Sequence, residues 1–219
     1  MEVRWLGHSC FKLEESTGSS IVADPFNEKS VGFKMPPVKA DVVTISHNYT
    51  KYNPLSEIIG EPQIIDTVGA FDVKGVQIYS FKCPQAQETK HNKGDNLVFK
   101  YRMDGIDVCH MGDINMEPHV SILEAIGPVN ILFIPVGGKY TIDAATAKEY
   151  VSLIMPDIVI PMHYKDKDTD LDIDKVDEFL SLFDDEEIVY LDNDRMAFER
   201  SEFDGESTKV VVFSKQRVD

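Results

Sequence analysis

A mixed α/β fold is predicted by three features of this sequence. Short β-branched runs dominate the first half, helical spacing sets in near position 117, and short strand-like runs return at the tail. Runs at 3–6, 10–13, 20–23, 41–46, 76–81, 96–101 and 106–110 are too short for buried helices, and turn residues such as Ser16, Thr17 and Gly18 separate them. Asp104 and Gly105, set between VFKYRM and IDVCHM, are a hairpin signal, so an antiparallel sheet is expected to open the chain. Spacing over 117–126 and 143–154 predicts helices, the second with Ala144, Ala147, Val151 and Ile154 on one side and Asp143 as N-cap. Apolar strand-like runs at 131–135 and 157–161 alternate with them. Asp172 is expected to open a further helix reaching about Phe183, with Ile173, Val176, Phe179, Leu180 and Phe183 as its apolar stripe. Strands are expected again at 187–191, 195–199 and 209–213. With no linker, strong repeat or low-complexity stretch other than an acidic one, residues 1–219 are expected to form a single domain.

A compact chain of 219 residues removes roughly 70% of its unfolded surface from water, enough for one substantial core. At 42% hydrophobic and 27% charged residues the composition is neither disordered nor fibrous. No apolar run approaches the roughly 20 residues that cross a bilayer. The start, MEVRWLGHSCFKLEE, carries charges where a signal peptide needs its apolar stretch, so a cytoplasmic chain without a membrane partner is expected. Cys10, Cys83 and Cys109 are too scattered for a disulfide framework or a zinc knuckle and read as core thiols. The net charge of −16 argues against a nucleic-acid partner. Most of it lies between positions 165 and 206, where 17 acidic residues face 5 basic ones, a solvated acidic face by expectation.

Four of the six histidines share one context. His8 follows VRWLG, His47 follows VVTIS, His110 follows DVC and His163 follows IVIPM, each at or just past the end of an apolar strand. Strand ends are where a rigid sheet hands side chains to a cleft, and convergence of the four on one site is expected. A single histidine so placed is otherwise a satisfied core or rim residue. Asp113, in the turn CHMGD after His110, adds a carboxylate. His47, His163 and Asp113 make a donor set suited to Zn²⁺, Mn²⁺ or Fe²⁺ with open coordination positions. Asp24, before Pro25, either orients one histidine through its second ring nitrogen or caps a turn. The stretch IPVGGKYT, with Tyr140, offers backbone N–H groups near Gly137 and Gly138, but no phosphate loop, dinucleotide fingerprint or nucleophile elbow is present.

Taken together, WLGHSCF (5–11), VADPF (22–26), VVTISH (42–47), CHMGD (109–113), IPVGGKYTID (134–143) and VIPMHYK (159–165) resemble the metallo-β-lactamase fold hydrolases. The likeness is to their small bacterial and archaeal metal-dependent members and covers roughly residues 1–200. It implies a four-layer αββα sandwich. It also implies the ligand pattern of that family: a loop His-x-His-x-Asp-His, a histidine on a middle loop, a bridging aspartate and a last histidine, which together hold two metals. His47 matches the first ligand, Asp113 the bridging aspartate and His163 the last histidine. The loop HNYTKY departs from the pattern, with Tyr49, Lys51 and Tyr52 standing where the second histidine, the aspartate and the third histidine belong. The middle histidine falls near Gln85, with His91 within reach of a loop shift.

An ordinary two-metal centre is therefore not expected. Two readings stay open. One is a hydrolase using one Zn or another divalent metal at His47, Asp113 and His163 on a small ester, amide or phosphoester. The other is a metal-free small-anion binding or regulatory protein, in which Lys51 supplies the charge that Asp113 lacks and the tyrosines donate hydrogen bonds. Oligomeric state is not legible.

Overall fold

The computed structural model describes residues 1–47, 55–83 and 95–215. The first part of the chain is built from β1 (Glu2–Gly7), β2 (Cys10–Glu14), β3 (Ser20–Ala23), α1 (Glu28–Val31), β4 (Val38–Lys39), β5 (Val42–Thr44), β6 (Ile58–Ile59), β7 (Gln63–Ile65), β8 (Gly69–Val73), β9 (Val76–Cys83), β10 (Asn96–Met103) and β11 (Ile106–His110). The second part adds α2 (Val120–Ile126), β12 (Ile131–Pro135), α3 (Ala144–Ile154), β13 (Ile158–Met162), α4 (Val176–Leu180), β14 (Ile188–Tyr190), β15 (Arg195–Ala197) and β16 (Lys209–Val212).

Two sheets face each other. One has the order β15-β1-β2-β3-β5-β7 and the other β14-β16-β13-β12-β11-β10-β9-β8. Alternation along the strands divides the first sheet's side chains. Val3, Trp5, Phe11, Leu13 and Ile21 join the core between the sheets, while Leu6, Cys10, Val22 and Val43 face a second cluster with Phe26, Val31, Met35 and Val38. That second cluster is the inner side of an outer layer holding the single-turn α1. On the far face of the second sheet, Ile122 and Ile126 of α2, Ala147, Tyr150 and Val151 of α3, and Phe179 and Leu180 of α4 form the other outer layer. The mixed α/β sandwich is of the four-layer type. Phe11 and Phe133 meet with ring centroids 4.3 Å apart. Both are fully buried, so trimming either to Ala would cost about 3–5 kcal/mol.

Strand direction places the functional edge. β9, β10 and β11 are antiparallel, joined by a turn in which Asp104 (φ 50°) and Gly105 (φ 73°) take the left-handed conformation of a tight hairpin. From β11 through β12 to β13 the pairing is parallel, so the C-terminal ends of these strands emerge at one edge. In the other sheet β3 and β5 are also parallel and deliver Asp24 and the Ser46-His47 pair in the same way.

Asp143 caps α3, accepting from Thr146 N–H at 2.9 Å. The expected helix from Asp172 needs correction. Asp172 is no cap, and α4 begins at Val176. The segment before it is held out of helical form by Lys165 N–H on Asp174 O (2.7 Å) and Asp174 N–H on Gly137 O (2.8 Å), while the Asp172 carboxylate pairs with Lys139 at 2.6 Å. Strand signals at β7 and β8 escaped the sequence pattern because both are edge strands, short or with neither face fully buried. The three cysteines are buried.

Candidate functional site

Asp113 is the hub of the edge. Its side chain is 2% exposed. His47 Nε2 lies 3.5 Å and His163 Nε2 3.8 Å from the same carboxylate oxygen, Oδ2. The position of Asp113 comes from Asn96, fully buried at the start of β10. Asn96 Oδ1 accepts Asp113 N–H at 2.9 Å, and its amide donates to Met111 O at 2.8 Å. Between them Gly112 sits at φ 58°, where a Cβ would fall 2.3 Å from Asn96 Oδ1 and 2.6 Å from Ser46 Cβ. Only glycine fits that turn. The two sheets are stitched together at the same point, where Leu97 N–H donates to Ser46 O at 2.7 Å.

Ser46 sets the state of His47. Asp24 Oδ1 accepts the Ser46 N–H at 2.7 Å, and Asp24 Oδ2 accepts the Ser46 hydroxyl at 2.5 Å. With its one proton spent on Asp24, Ser46 Oγ can only accept from His47 Nδ1, 2.7 Å away. His47 therefore carries its proton on Nδ1 and, when neutral, turns the Nε2 lone pair toward Asp113. In that form the His47 Nε2 lone pair and an Asp113 carboxylate oxygen, 3.5 Å apart, are two donors of the kind a cation bridges. Asp24 thus orients a histidine, though through Ser46 and not by direct contact.

His110 shares the sequence context of His47 and His163, but its ring faces backbone groups. Its Nε2 donates to Ser9 O at 2.9 Å, and its Nδ1 accepts Gly112 N–H at 3.2 Å. Both ring nitrogens are spent on backbone, and the residue is 1% exposed, so it braces the turn. Asp24 Oδ2 lies 3.8 Å from its Nδ1.

His8 stacks on His163, with ring centroids 4.2 Å apart and planes tilted by 44°. Burial pushes the His8 imidazole well below its ordinary pKa, and neighbouring His163 adds to the effect against the opposing pull of Asp113. Burial likewise lowers His163, again opposed by Asp113. The Nδ1 atoms of both rings are buried without a hydrogen-bond partner among the described residues. His8 (φ 52°), Asp24 (φ 45°) and His163 (φ 55°) all take the left-handed backbone conformation, which costs a non-glycine residue on the order of 1 kcal/mol or more and collects at functional sites.

Tyr49, Lys51, Tyr52, Gln85 and His91 lie outside the described residues. Tyr140 is partly exposed in the turn after Gly138, its N–H donating to Gly138 O at 2.6 Å. The N–H of Gly138 is itself spent on Ile142 O, and Gly137 lies so close to the strand end that a Cβ would fall 2.0 Å from His163 O. Sequence reasoning missed Ser46, Asn96 and Lys215. Ser46 carried a signal as the polar residue beside a strand-end histidine, and Asn96 as the asparagine that ends the sequence KGDN. Lys215 Nζ pairs with Asp166 at 2.5 Å and lies 3.2 Å from the Phe33 ring centre, tying the C-terminal segment and part of the acidic stretch to the site's flank.

Among the described residues, no three His, Cys, Asp or Glu side chains close into a complete metal-ligand group. His47, Asp113 and His163 instead form two donor pairs that share one oxygen. Their nitrogen and carboxylate donors are of the kind a divalent ion takes, and the His47–Asp113 edge has a matching length while the His163–Asp113 edge is longer. Bonds of 2.0–2.2 Å to a tetrahedral ion separate neighbouring donors by about 3.3–3.6 Å; the 3.5 Å edge lies in that range and the 3.8 Å edge just beyond it.

Comparison with known proteins places this edge in context. The model of the Beta-lactamase superfamily domain matches residues 2–163. A crystal structure of a metallo-beta-lactamase superfamily protein from Thermotoga maritima superposes with a TM-score of 0.81 at 36% identity, covering 98% of this chain and 99% of the other. The UPF0173 protein of Pyrococcus furiosus is 28% identical over 185 residues, 75% of this chain and 83% of its own. The UPF0173 metal-dependent hydrolase of Thermococcus kodakarensis is 25% identical over 191 residues, 75% of this chain and 84% of its own. With the family model spanning most of the chain and the Thermotoga structure matching nearly all of it, the chain belongs to the metallo-beta-lactamase superfamily.

Proposed function

We propose that this protein is a hydrolase that uses one divalent metal ion, zinc or a similar borderline ion, held by His47, Asp113 and His163, and that it cleaves a small ester, amide or phosphoester. The reading is carried by the orientation of His47. Its Nδ1 proton is fixed by the Asp24–Ser46 pair, so Nε2 presents a lone pair to an oxygen of Asp113 that His163 Nε2 also faces. Two nitrogens and a carboxylate oxygen leave open positions for water and substrate. The chemistry supplied by a divalent ion is polarisation of the scissile group and acidification of water at neutral pH. The chain's own residues supply the order around it. Ser46 and Asp24 hold the His47 tautomer, Asn96 and Gly112 fix the Asp113 carboxylate, and the left-handed turn at His163 aims its ring. The metal-dependent hydrolase of Thermococcus kodakarensis supports the same reaction class.

The test is metal content and turnover together. Tag-free protein loaded with zinc should retain one ion per chain and hydrolyse at least one of p-nitrophenyl acetate, a p-nitroanilide and bis(p-nitrophenyl) phosphate. D113N and H163A should each lose the ion and the activity. Protein that holds no ion, or variants that keep full activity, would remove the basis for the reading.

A further inference from the structure

His8 and His110 emerge from the same sequence context and end in opposite states. His110 has both nitrogens bound to backbone groups. His8 has Nδ1 buried with no partner among the described residues, although its own backbone is firmly pinned, with His8 O accepting from Trp5 Nε1 at 3.1 Å and from His163 N at 3.5 Å. A histidine kept only for packing would be replaceable by an apolar ring, without the cost of a buried unsatisfied nitrogen. The backbone around it is committed as well. The β1–β2 register shifts between Trp5 and Gly7, Gly7 sits at φ 114°, and His8 itself takes the left-handed conformation. A Cβ on Gly7 would fall 2.7 Å from the Phe33 ring, so the turn is shaped for close approach. The result is an imidazole packed against the ring of His163, with centroids 4.2 Å apart.

We infer that His8 is a substrate-contacting residue of this site, an imidazole that donates a hydrogen bond to an oxygen of the carbonyl or phosphoryl group undergoing cleavage. This rests on the hydrolase reading. His8 transfers no proton. Its N–H meets the oxygen that gains electron density as water adds to the electrophilic centre, and the bond strengthens as that charge builds. The same donor serves a tetrahedral oxyanion such as inorganic phosphate, which gives the inference a readout independent of turnover.

The experiment compares H8F, which keeps a stacking ring without a donor, with H8N, which keeps an N–H donor and tolerates the left-handed backbone. In zinc-loaded full-length protein, H8F should keep its zinc, lose about 100-fold in kcat, and bind phosphate at least about tenfold more weakly by calorimetry. H8N should recover a large part of both. H8F with unchanged kcat and phosphate affinity would overturn the inference, as would loss of zinc from H8F, which would mark a structural role. Should H8F fail to fold, H8A set against H8N carries the same comparison. A wild-type protein that hydrolyses none of the probes defeats the hydrolase reading alone, since phosphate titration of the zinc-loaded protein still decides His8. Absence of phosphate binding there overturns the inference.

Discussion

Replacing Ser46 with Ala removes one oxygen that holds two of the site's residues at once. The hydroxyl donates to Asp24 Oδ2 at 2.5 Å and accepts from His47 Nδ1 at 2.7 Å, and Ser46 is 1% exposed, so water cannot take its place. A hydrogen bond to a charged group is worth about 1.5–3 kcal/mol and a neutral one about 1 kcal/mol. Asp24 keeps the Ser46 N–H at 2.7 Å, which limits the loss. The expected destabilisation is about 2–3 kcal/mol, equivalent to a fall of about 5–10 °C in Tm for a chain of this length. Because Ala retains the Cβ that packs against Gly112, no cavity larger than the lost oxygen opens. Zinc affinity should fall about 10–100-fold, the usual effect of removing the group that orients a ligating histidine. Urea unfolding of metal-free protein measures the first effect and competition with a chromogenic zinc chelator the second. S46A within about 0.5 kcal/mol of the wild type and with unchanged zinc affinity would refute the relay from Asp24 to His47.

Gly137→Ala should be severely destabilising or misfolded, because its Cβ would lie 2.0 Å from the His163 backbone oxygen; thermal unfolding and zinc content should fall together, and a variant with wild-type Tm would contradict the packing. Asp194 should make stability fall at acid pH. Burial works to raise its pKa, but hydrogen bonds from Arg4 and Arg195 outweigh that and leave it below the ordinary carboxylate value. A folded pKa below the unfolded one means stability that is present above about pH 4 and is lost as pH falls through the folded pKa; D194N should flatten that part of a urea-midpoint profile, and an unchanged profile would count against the pairing. Chelation of a zinc-loaded sample, held at about 100 times its Kd, should remove about 2.7 kcal/mol of stability, or about 5–10 °C in Tm, and calorimetry in which the chelator leaves Tm unchanged would count against a bound ion.

The mixed α/β class was legible because burial imposes a period on the residues that form a strand, and most strands of the central sheets carried that period, whereas the four-layer sandwich was implied by the family resemblance. The histidine positions were legible for a related reason: a polar residue immediately after an apolar run marks a strand end. Which of those histidines could act was not. His8, His47, His110 and His163 look alike in sequence, yet Ser9 O and Gly112 N–H consume His110, Ser46 fixes the tautomer of His47, and His8 keeps a nitrogen unspent. These outcomes depend on partners brought together by register across two sheets, such as Asp24 with Ser46, Asn96 with Asp113, and His8 with His163. Lys215 makes the same point, since nothing near it in sequence foretells Asp166 or Phe33. Local pattern records which way a side chain faces relative to its own strand, while the tautomer, the unspent nitrogen and the shared carboxylate oxygen are set by atoms distant in the chain, which only the packed structure brings within hydrogen-bond reach.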